Sequence, residues 1–497
     1  MLLKASLAFL AVALFCFIFA DIEITTLDPW FEFQRMIGGA LTPDFSVLIE
    51  FRIALLNTVT FALCGIFISF IFGTVLALMF HFIVVRLFCA SIRAIHEIFW
   101  VFILLPVVGL NPICGVLAIA IPYSGIFAKV YAEILQEADE KPLKGLPPKS
   151  NPISKFVYGV LPVVYADIKN YTAYRFECAL RSSTVLGFIG LPTLGFYLET
   201  AFREGNYSEA AALLFSFYLL IASLKYWLKP RLVPVYISAA FVLIPKEVSL
   251  SWANVSRFFT YDILPWPMRR EGFLSATNEI SFPFEEVRAW VIDIFRNEAL
   301  DGIWQTTILT QIVLVVTALV TLVGFTTISR TFFGAFFRRI SHFALIVIRT
   351  TPEYILAYVF LQLWGPSMLP AIVAIALHNS AILAYLSGQN ANLIELRLDA
   401  PRKKMNRYFF EVLPRIYGQF LAFLFYRWEV MMRESAILGI LGIYTLGFFI
   451  DSAISDDKLD KAMFLIGVTA LLNMLIDTIS QIVRRRLKVS TKLVTSY

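Results

Sequence analysis

Residues 174–196 read YRFECALRSSTVLGFIGLPTLGF, a stretch that sets two arginines, one glutamate and three glycines in an otherwise apolar segment. Residues 426–448 read YRWEVMMRESAILGILGIYTLGF, and the two stretches are identical at 12 of 23 positions without a gap. Charges and glycines in the same order and at the same spacing indicate an internal duplication.

The composition of the chain is that of a membrane protein. Of its 497 residues, 59% are hydrophobic and only 16% are charged, which excludes an ordinary soluble domain. The net charge of +6 is distributed in short clusters between apolar runs, so it indicates membrane topology rather than nucleic-acid binding. The five cysteines form no CxxC motif and no zinc-type spacing, so we expect them to be packing residues.

Apolar runs close to the ~20 residues that cross a bilayer predict an all-α polytopic membrane protein with about twelve transmembrane helices. The first run could be a signal peptide, but it lacks a small-residue cleavage site, so we expect an uncleaved anchor. The predicted spans are 3–20, 53–80, 94–110, 113–135, 159–185, 209–228, 232–245, 303–329, 343–363, 369–388, 413–437 and 461–482.

The distribution of basic residues predicts the orientation. If both termini face the cytoplasm, the segments on that side hold 26 of the 42 lysines and arginines. Such an excess is typical of cytoplasmic loops. Two longer segments, 21–52 and 246–302, then lie outside the cell.

The duplication predicts two domains, 1–230 and 231–497, each with about six helices. The sequence VLP precedes each charged segment at the same distance, and the pair Arg93 and Glu97 is matched by Arg349 and Glu353. An even number of spans makes the two repeats parallel, which predicts a pathway between them.

Helical spacing places some of the polar residues on one stripe in each repeat. Residues three and four positions apart share a helix face. The stripes are Tyr174, Glu177 and Arg181 in the first repeat, and Tyr426, Glu429 and Arg433 in the second.

Two interpretations of these stripes are compatible with each other. A charge at the bilayer centre costs about 2.5–3.5 kcal/mol, so each must be paired or face water. In the structural interpretation, Glu177 with Arg181 and Glu429 with Arg433 are neutralising pairs that lock the bundle. In the functional interpretation, the two arginines also face the central path and attract an anion.

Two further arginines, Arg175 and Arg427, point away from the stripes and need partners elsewhere. Glu97 and Glu353 are candidates for these partners.

Glycines follow each charged stripe at fixed distances. Because glycine permits close backbone approach and tight turns, a broken or re-entrant segment is predicted where it lines a cavity. These glycines are Gly187, Gly190 and Gly195 in the first repeat and Gly439, Gly442 and Gly447 in the second.

Motifs of enzymes and metal proteins are missing from the sequence. There is no GxxxxGK[ST] loop and no GxSxG elbow, and the four histidines form no pair at helical spacing, so we predict neither catalysis nor a metal site. His378, followed by Asn379 and Ser380 on an apolar helix, is either a pathway residue or a satisfied packing residue.

Several segments of the chain resemble those of a known protein family. A loop ending in VLP, then YRxExxxR and LGxxGxxTLGF, once in each half, looks like the permease of type I ABC importers, in particular the phosphonate-importer branch. The stretches GGALTPDFS (38–46) and LLNMLIDTISQIVRRRL (471–487) carry the same resemblance. It covers nearly the whole chain, which would be a fused tandem of two permeases.

The resemblance implies two cytoplasmic ATPase subunits that grip coupling loops at about 133–158 and 389–412. The chain departs from the family's EAA-type motif in both loops: Lys149 and Pro401 replace its glycine, and Glu395 alone keeps its acid. The departure implies either altered coupling contacts in both loops or weaker coupling through one of them. The coupling residues that we predict are Glu133, Lys149, Glu395 and Pro401.

The function implied is that of a bacterial inner-membrane permease without catalytic residues or a cofactor of its own, because its partner ATPases bind ATP and magnesium. A periplasmic binding protein would deliver an anionic phosphonate-like solute to a pseudo-dimeric single chain surrounded by lipid. One alternative is an ABC permease for phosphate, phosphite or another solute. Another is a proton- or ion-coupled secondary transporter that uses Glu177 and Glu429.

Overall fold

The computed structural model describes residues 2–138, 147, 151–244, 251–269 and 283–489, and within them the chain forms helices and no β-strand. The first half contains α1 (Leu2–Phe19), α2 (Pro29–Leu41), α3 (Arg52–Leu78), α4 (Ile83–Ala94), α5 (Glu97–Val108), α6 (Pro112–Gln136), α7 (Pro152–Lys155), α8 (Leu161–Val185), α9 (Leu194–Arg203) and α10 (Tyr207–Trp227). The second half contains α11 (Val233–Leu243), α12 (Trp252–Arg257), α13 (Phe284–Ile294), α14 (Leu300–Ile328), α15 (Ala335–Thr350), α16 (Glu353–Trp364), α17 (Met368–Asn392), α18 (Lys404–Arg407), α19 (Leu413–Ile437), α20 (Leu446–Ser455) and α21 (Leu459–Leu487).

The lengths and composition of these helices are those of a polytopic membrane protein. Among the described residues, seven helices are long and apolar enough to cross a membrane, and four bent pairs raise the number of candidate spans to eleven. The predicted span 232–245 is the 11-residue helix α11, which is shorter than a bilayer-crossing helix. The five cysteines are free and buried.

The chain divides into two compact units that differ from the predicted domains 1–230 and 231–497. Unit N comprises Met36–Phe258, and unit C comprises Met1–Arg35 with Phe259–Tyr497. The first helix of each half therefore belongs to the other half's unit, because its apolar side chains pack there.

Aromatic contacts hold these exchanged helices in place. In unit C, α1 packs on α14 and α19, with the Phe9 ring 5.1 Å from Phe425 and the Phe19 ring 5.7 Å from Trp304. In unit N, α11 packs on α3 with the Phe241 ring 5.8 Å from Phe67.

Two predicted spans, 94–110 and 343–363, are not single straight helices. Helices α4 and α5 meet at an angle of 94°, and α15 and α16 meet at the same angle. In unit C the break falls at Thr351 and Pro352, since proline has no N–H and holds the preceding residue in an extended conformation. In unit N, His96 caps the start of α5 by accepting from Ile98 N at 3.3 Å.

The glycines after each charged stripe break the helix, as the sequence predicts. Helix α8 continues as a 3-10 turn to Gly190 (φ +93°), and α19 continues in the same way to Gly442 (φ +81°), a left-handed conformation that favours glycine. The following helices are turned by 52° and 43°. A Cβ on Gly195 would collide with Thr184 O, and a Cβ on Gly447 would collide with Ala436 O.

Equivalent hydrogen bonds fix the two broken segments. Leu194 N donates to Thr58 Oγ1 on α3 at 2.9 Å, and Leu446 N donates to Thr306 Oγ1 on α14 at 2.9 Å. The backbone of the duplicated segment is therefore anchored in the same way in both units.

The GGALTPDFS segment also packs closely in unit N. A Cβ on Gly39 would lie 2.5 Å from Tyr207 Cβ, so only glycine fits there. Asp44 accepts from Ser46 N at 2.9 Å and from Ser46 Oγ at 2.6 Å, and these hydrogen bonds to the charged form lower the pKa of the Asp44 carboxyl.

Candidate functional site

The charged stripe in unit C has the predicted ion pair. Arg433 Nη2 lies 4.0 Å from Glu429 Oε1, and the two side chains are 17% and 9% exposed. Tyr426 on the same stripe is 43% exposed, so the stripe extends from the interior to a surface.

The stripe in unit N is arranged differently. Arg181 Nη2 donates to Cys178 Sγ at 3.2 Å, and Glu177 is half-buried. Within the part of the chain that the structure describes, Glu177 takes part in no salt bridge within 4 Å, so the predicted pair with Arg181 is not found. Tyr174 is 47% exposed.

The partners of Arg175 and Arg427 also differ from the prediction. Arg427 Nε donates to Asn379 Oδ1 at 2.7 Å, and its Nη2 lies 3.5 Å from Glu434 Oε1. Arg175 Nε donates to Tyr171 Oη at 2.8 Å. Arg175 therefore contacts a tyrosine one turn earlier on its own helix, and Arg427 contacts Asn379 of α17 and Glu434 of its own helix, in place of the candidates Glu97 and Glu353.

The Arg175 guanidinium is also surrounded by aromatic rings. Its Cζ lies 5.2 Å from the Tyr171 ring, 5.7 Å from Tyr174 and 5.8 Å from Tyr123. Such cation–π contacts stabilise a charge that has little water around it.

Glu353 instead belongs to a buried polar cluster in unit C, at the bend between α15 and α16. His378 Nε2 lies 3.9 Å from Glu353 Oε2, and His378 Nδ1 donates to Thr351 O at 2.9 Å. Glu434 Oε2 accepts from Asn379 Nδ2 at 2.8 Å. We call Glu353, His378, Asn379, Arg427 and Glu434 the second elbow cluster.

Glu97 belongs to the corresponding cluster in unit N, at the bend between α4 and α5. His96 Nε2 contacts Glu97 Oε2 at 2.9 Å, and Ser182 Oγ donates to Glu97 Oε1 at 2.9 Å. The Tyr123 hydroxyl lies 3.1 Å from Ser182 Oγ. We call His96, Glu97, Tyr123, Arg175 and Ser182 the first elbow cluster.

The two clusters use equivalent positions with different side chains. Ser182 corresponds to Glu434 and Tyr123 to Asn379, since each pair is equally spaced from matching residues of the repeats. His96 corresponds to Pro352, and Pro122 corresponds to His378, so each repeat has one histidine and one proline in exchanged order.

Glu434 is the main residue that the sequence analysis missed. It lies beside the stripe residue Arg433, but its repeat partner is a serine, so a search for identical positions does not find it. The exchange of histidine and proline between the repeats is the signal that could have located both clusters.

The second predicted coupling loop is anchored by a buried carboxylate. Glu411 is 3% exposed, pairs with Arg415 Nη2 at 2.6 Å and accepts from Arg397 N at 3.1 Å. Arg415 Nη1 also donates to the carbonyl of Glu395 at 2.9 Å. Pro401 accepts from Arg407 Nε at 3.0 Å, so the loop is held at several points.

The first loop lacks this anchor. The positions equivalent to Glu411 and Arg415 are Gly159 and Val163. Glu133 is exposed at the end of α6, and Lys149 lies outside the described residues.

Comparison with known proteins identifies relatives of one type. The chain is 28% identical over 222 residues to the phosphite transport system permease protein PtxC of Stutzerimonas stutzeri, which covers 42% of this chain and 81% of that protein. It is 25% identical over 416 residues to the phosphate-import permease protein PhnE of Mycolicibacterium smegmatis, which covers 80% of this chain and 76% of that protein.

A third relative is similar over a shorter length. The putative cryptic phosphonate transport system permease protein PhnE2 of Escherichia coli K12 is 32% identical over 99 residues, which cover 20% of this chain and 81% of that protein. No family model and no solved structure matches the chain. One relative thus matches about half of the chain and another matches across both halves, in agreement with a tandem fusion.

Proposed function

Because this chain belongs to the phosphonate-type family of ABC importer permeases, we propose that it carries an anionic phosphonate-like solute along a path that Arg181 and Arg433 line. The chain is a multi-pass membrane permease subunit of such an importer. The observation that carries the solute class is one half-buried arginine at the same position of both duplicated helices.

Guanidinium groups suit this solute. Arginine keeps its charge under all physiological conditions and presents a planar fork that matches two oxygens of a phosphonate. Glu429 lies 4.0 Å from Arg433 and offsets part of its charge, which would keep the resting path from holding the anion too tightly. In unit N, Glu177 would act on Arg181 over a longer distance.

We propose that two cytoplasmic ATPases drive the transport and that an external binding protein delivers the solute. The chain would sit in a bacterial inner membrane with both termini in the cytoplasm, in agreement with its basic loops. The ATPases would supply ATP and magnesium, and the loop anchored by Glu411 would form the stronger of two unequal contacts. The glycine breaks at Gly190 and Gly442 would act as gates.

Uptake measurements test the arginine role. We expect the double variant Arg181→Ala/Arg433→Ala to lose at least about tenfold in uptake of radiolabelled methylphosphonate, since each charge-assisted hydrogen bond contributes ~1.5–3 kcal/mol. Lysine at both positions should restore part of the uptake because it keeps the charge but not the fork. Arg288→Ala, at a 61% exposed side chain, is the matched control. Unchanged uptake at equal membrane levels in the alanine double variant would contradict the proposal.

The names of the relatives favour two other anions, phosphite and phosphate. Inhibition of labelled methylphosphonate uptake by unlabelled phosphonate, phosphite or phosphate ranks the affinities of the transporter for the three anions. Uptake into vesicles that depends on added ATPase subunits supports the importer, whereas uptake driven by a proton gradient alone would support proton coupling through Glu177 and Glu429.

A further inference from the structure

We propose that the second elbow cluster binds one divalent transition-metal ion, of which zinc is the best match, through Glu353, His378 and Glu434. Their ligand atoms all lie within 4.8 Å of one another. The three residues are widely separated in the sequence and are brought together by α16, α17 and α19. This site goes beyond the transport of an anion and does not depend on it.

The tautomer of His378 is the first argument. Thr351 O only accepts hydrogen bonds, so His378 Nδ1 must carry a proton. In a neutral imidazole, Nε2 then presents its lone pair toward Glu353 Oε2, 3.9 Å away. A metal ion fits between two electron-pair donors at this separation, because zinc bonds to nitrogen and carboxylate oxygen are ~2.0–2.2 Å long.

The surroundings of the ligands are the second argument. Metal-bound histidines typically donate their other ring N–H to a carbonyl or carboxylate, as His378 does to Thr351 O. Glu434 is oriented by Asn379 Nδ2 at 2.8 Å. Imidazole with carboxylates suits zinc and its transition-metal neighbours better than calcium or magnesium.

Charge is the third argument. Glu353 and Glu434 bring two carboxylates into a buried region, and Arg427 lies 3.5 Å from one of them. A divalent ion would contact both carboxylates at once and add positive charge beside them. Three protein ligands would leave a fourth tetrahedral position for water or a transported anion.

The first elbow cluster provides an internal control. His96 Nδ1 accepts from Ile98 N, so its Nε2 carries the proton and donates to Glu97 at 2.9 Å, which is too short for a metal ion between them. Ser182 stands where the third ligand would be. We therefore expect one metal ion per chain and not two.

Equilibrium dialysis of the purified full-length chain in detergent tests the proposal, with EDTA-treated protein, zinc chloride as the probe and elemental analysis as the readout. We expect about one zinc per chain, and at least about tenfold weaker binding in both Glu434→Gln and His378→Gln. His96→Gln, at the first elbow cluster, should bind zinc like the unmodified chain.

Two outcomes of the dialysis experiment would overturn the proposal. Absence of zinc from the unmodified chain would mean that His378 and Glu353 share only a proton. Zinc that persists in both Gln variants would be bound elsewhere. Gel filtration checks that each variant is folded, and the visible absorption of bound cobalt in the unmodified chain, with bands of a tetrahedral site, provides a measurement without mutation.

Discussion

The first and second elbow clusters occupy the same bend of the duplicated fold but differ in chemistry. In unit N, Glu97 contacts His96 directly at 2.9 Å and accepts from a serine. In unit C, Glu353 is 3.9 Å from its histidine, and a second carboxylate, Glu434, replaces the serine.

This difference shows that duplication preserved the backbone more closely than the side chains. Both bends are 94°, and both charged helices break at a left-handed glycine. The histidine, however, comes from the start of α5 in unit N and from the middle of α17 in unit C. Equivalent backbones therefore carry unequal sites, as is expected when one chain holds both halves.

The largest effect on folding is expected from substitutions at the close-packed glycines that the two units share. Gly195→Ala or Gly447→Ala would push a Cβ into a backbone carbonyl, which cannot rotate away as a side chain can. The cost should exceed the ~1–3 kcal/mol typical of overpacking. We expect most of the monodisperse protein to disappear in gel filtration of the solubilised membranes.

Gly467→Ala is the control for these variants, because nothing lies within 4 Å of a Cβ built there. An alanine variant at Gly195 or Gly447 that elutes at the level of the unmodified chain would contradict the close-approach argument.

The second largest effect is a difference in stability loss between equivalent positions of the two elbow clusters. Glu434→Ala should destabilise the protein by about 3–5 kcal/mol, because it leaves Arg427 buried without its carboxylate. Ser182→Ala at the equivalent position removes one hydrogen bond to Glu97 and should cost only ~1–3 kcal/mol. Thermal unfolding in detergent measures both, and equal losses would mean that the two positions play the same role.

A smaller effect is expected at the coupling loops. Glu411→Gln weakens the contacts to Arg415 and Arg397 and should reduce local stability by about 2 kcal/mol, or ~30-fold in loop opening. Trypsin should then cut within 397–407 up to ~30-fold faster, because cleavage follows the population of the open loop. Cleavage of the first loop in the same sample is the control, and an unchanged ratio of the two cuts would argue against the anchor.

The smallest effect concerns the anchors of the broken segments. Thr58→Val and Thr306→Val each remove the acceptor of one backbone N–H and should cost about 1 kcal/mol. Because the two bonds have the same length and burial, the losses in thermal stability should agree to within ~0.5 kcal/mol. A clear inequality would show that the units are anchored differently.

Much of the fold follows from local patterns in the sequence. Apolar runs predict most of the helices, and the glycines at 190 and 442 predict the breaks, because both depend on residues close in the chain. The bends at Ile95 and Thr351 were missed, since continuous hydropathy does not report the direction of a helix. The exchange of α1 and α11 between units was missed because no local signal names a packing partner.

The contacts of the charged residues were likewise predictable only in part. Helical spacing predicted the pair of Glu429 and Arg433, which lie one turn apart on one helix, but the same spacing in the first repeat did not make a pair of Glu177 and Arg181. Tyr171 also lies one turn from Arg175 on its own helix, but Asn379 reaches Arg427 from α17, which spacing does not show; the sequence analysis named only Glu97 and Glu353 as candidate partners.

The sequence by itself determined that this chain is a duplicated all-α membrane protein, because hydropathy and a repeat of 12 identical positions in 23 depend only on the order of residues along the chain. Only the tertiary structure decided that Glu434 joins His378 and Glu353 in one unit while Ser182 joins His96 and Glu97 in the other. The physical reason is that buried charges take their partners from whichever helices pack beside them, and packing is a property of the folded chain.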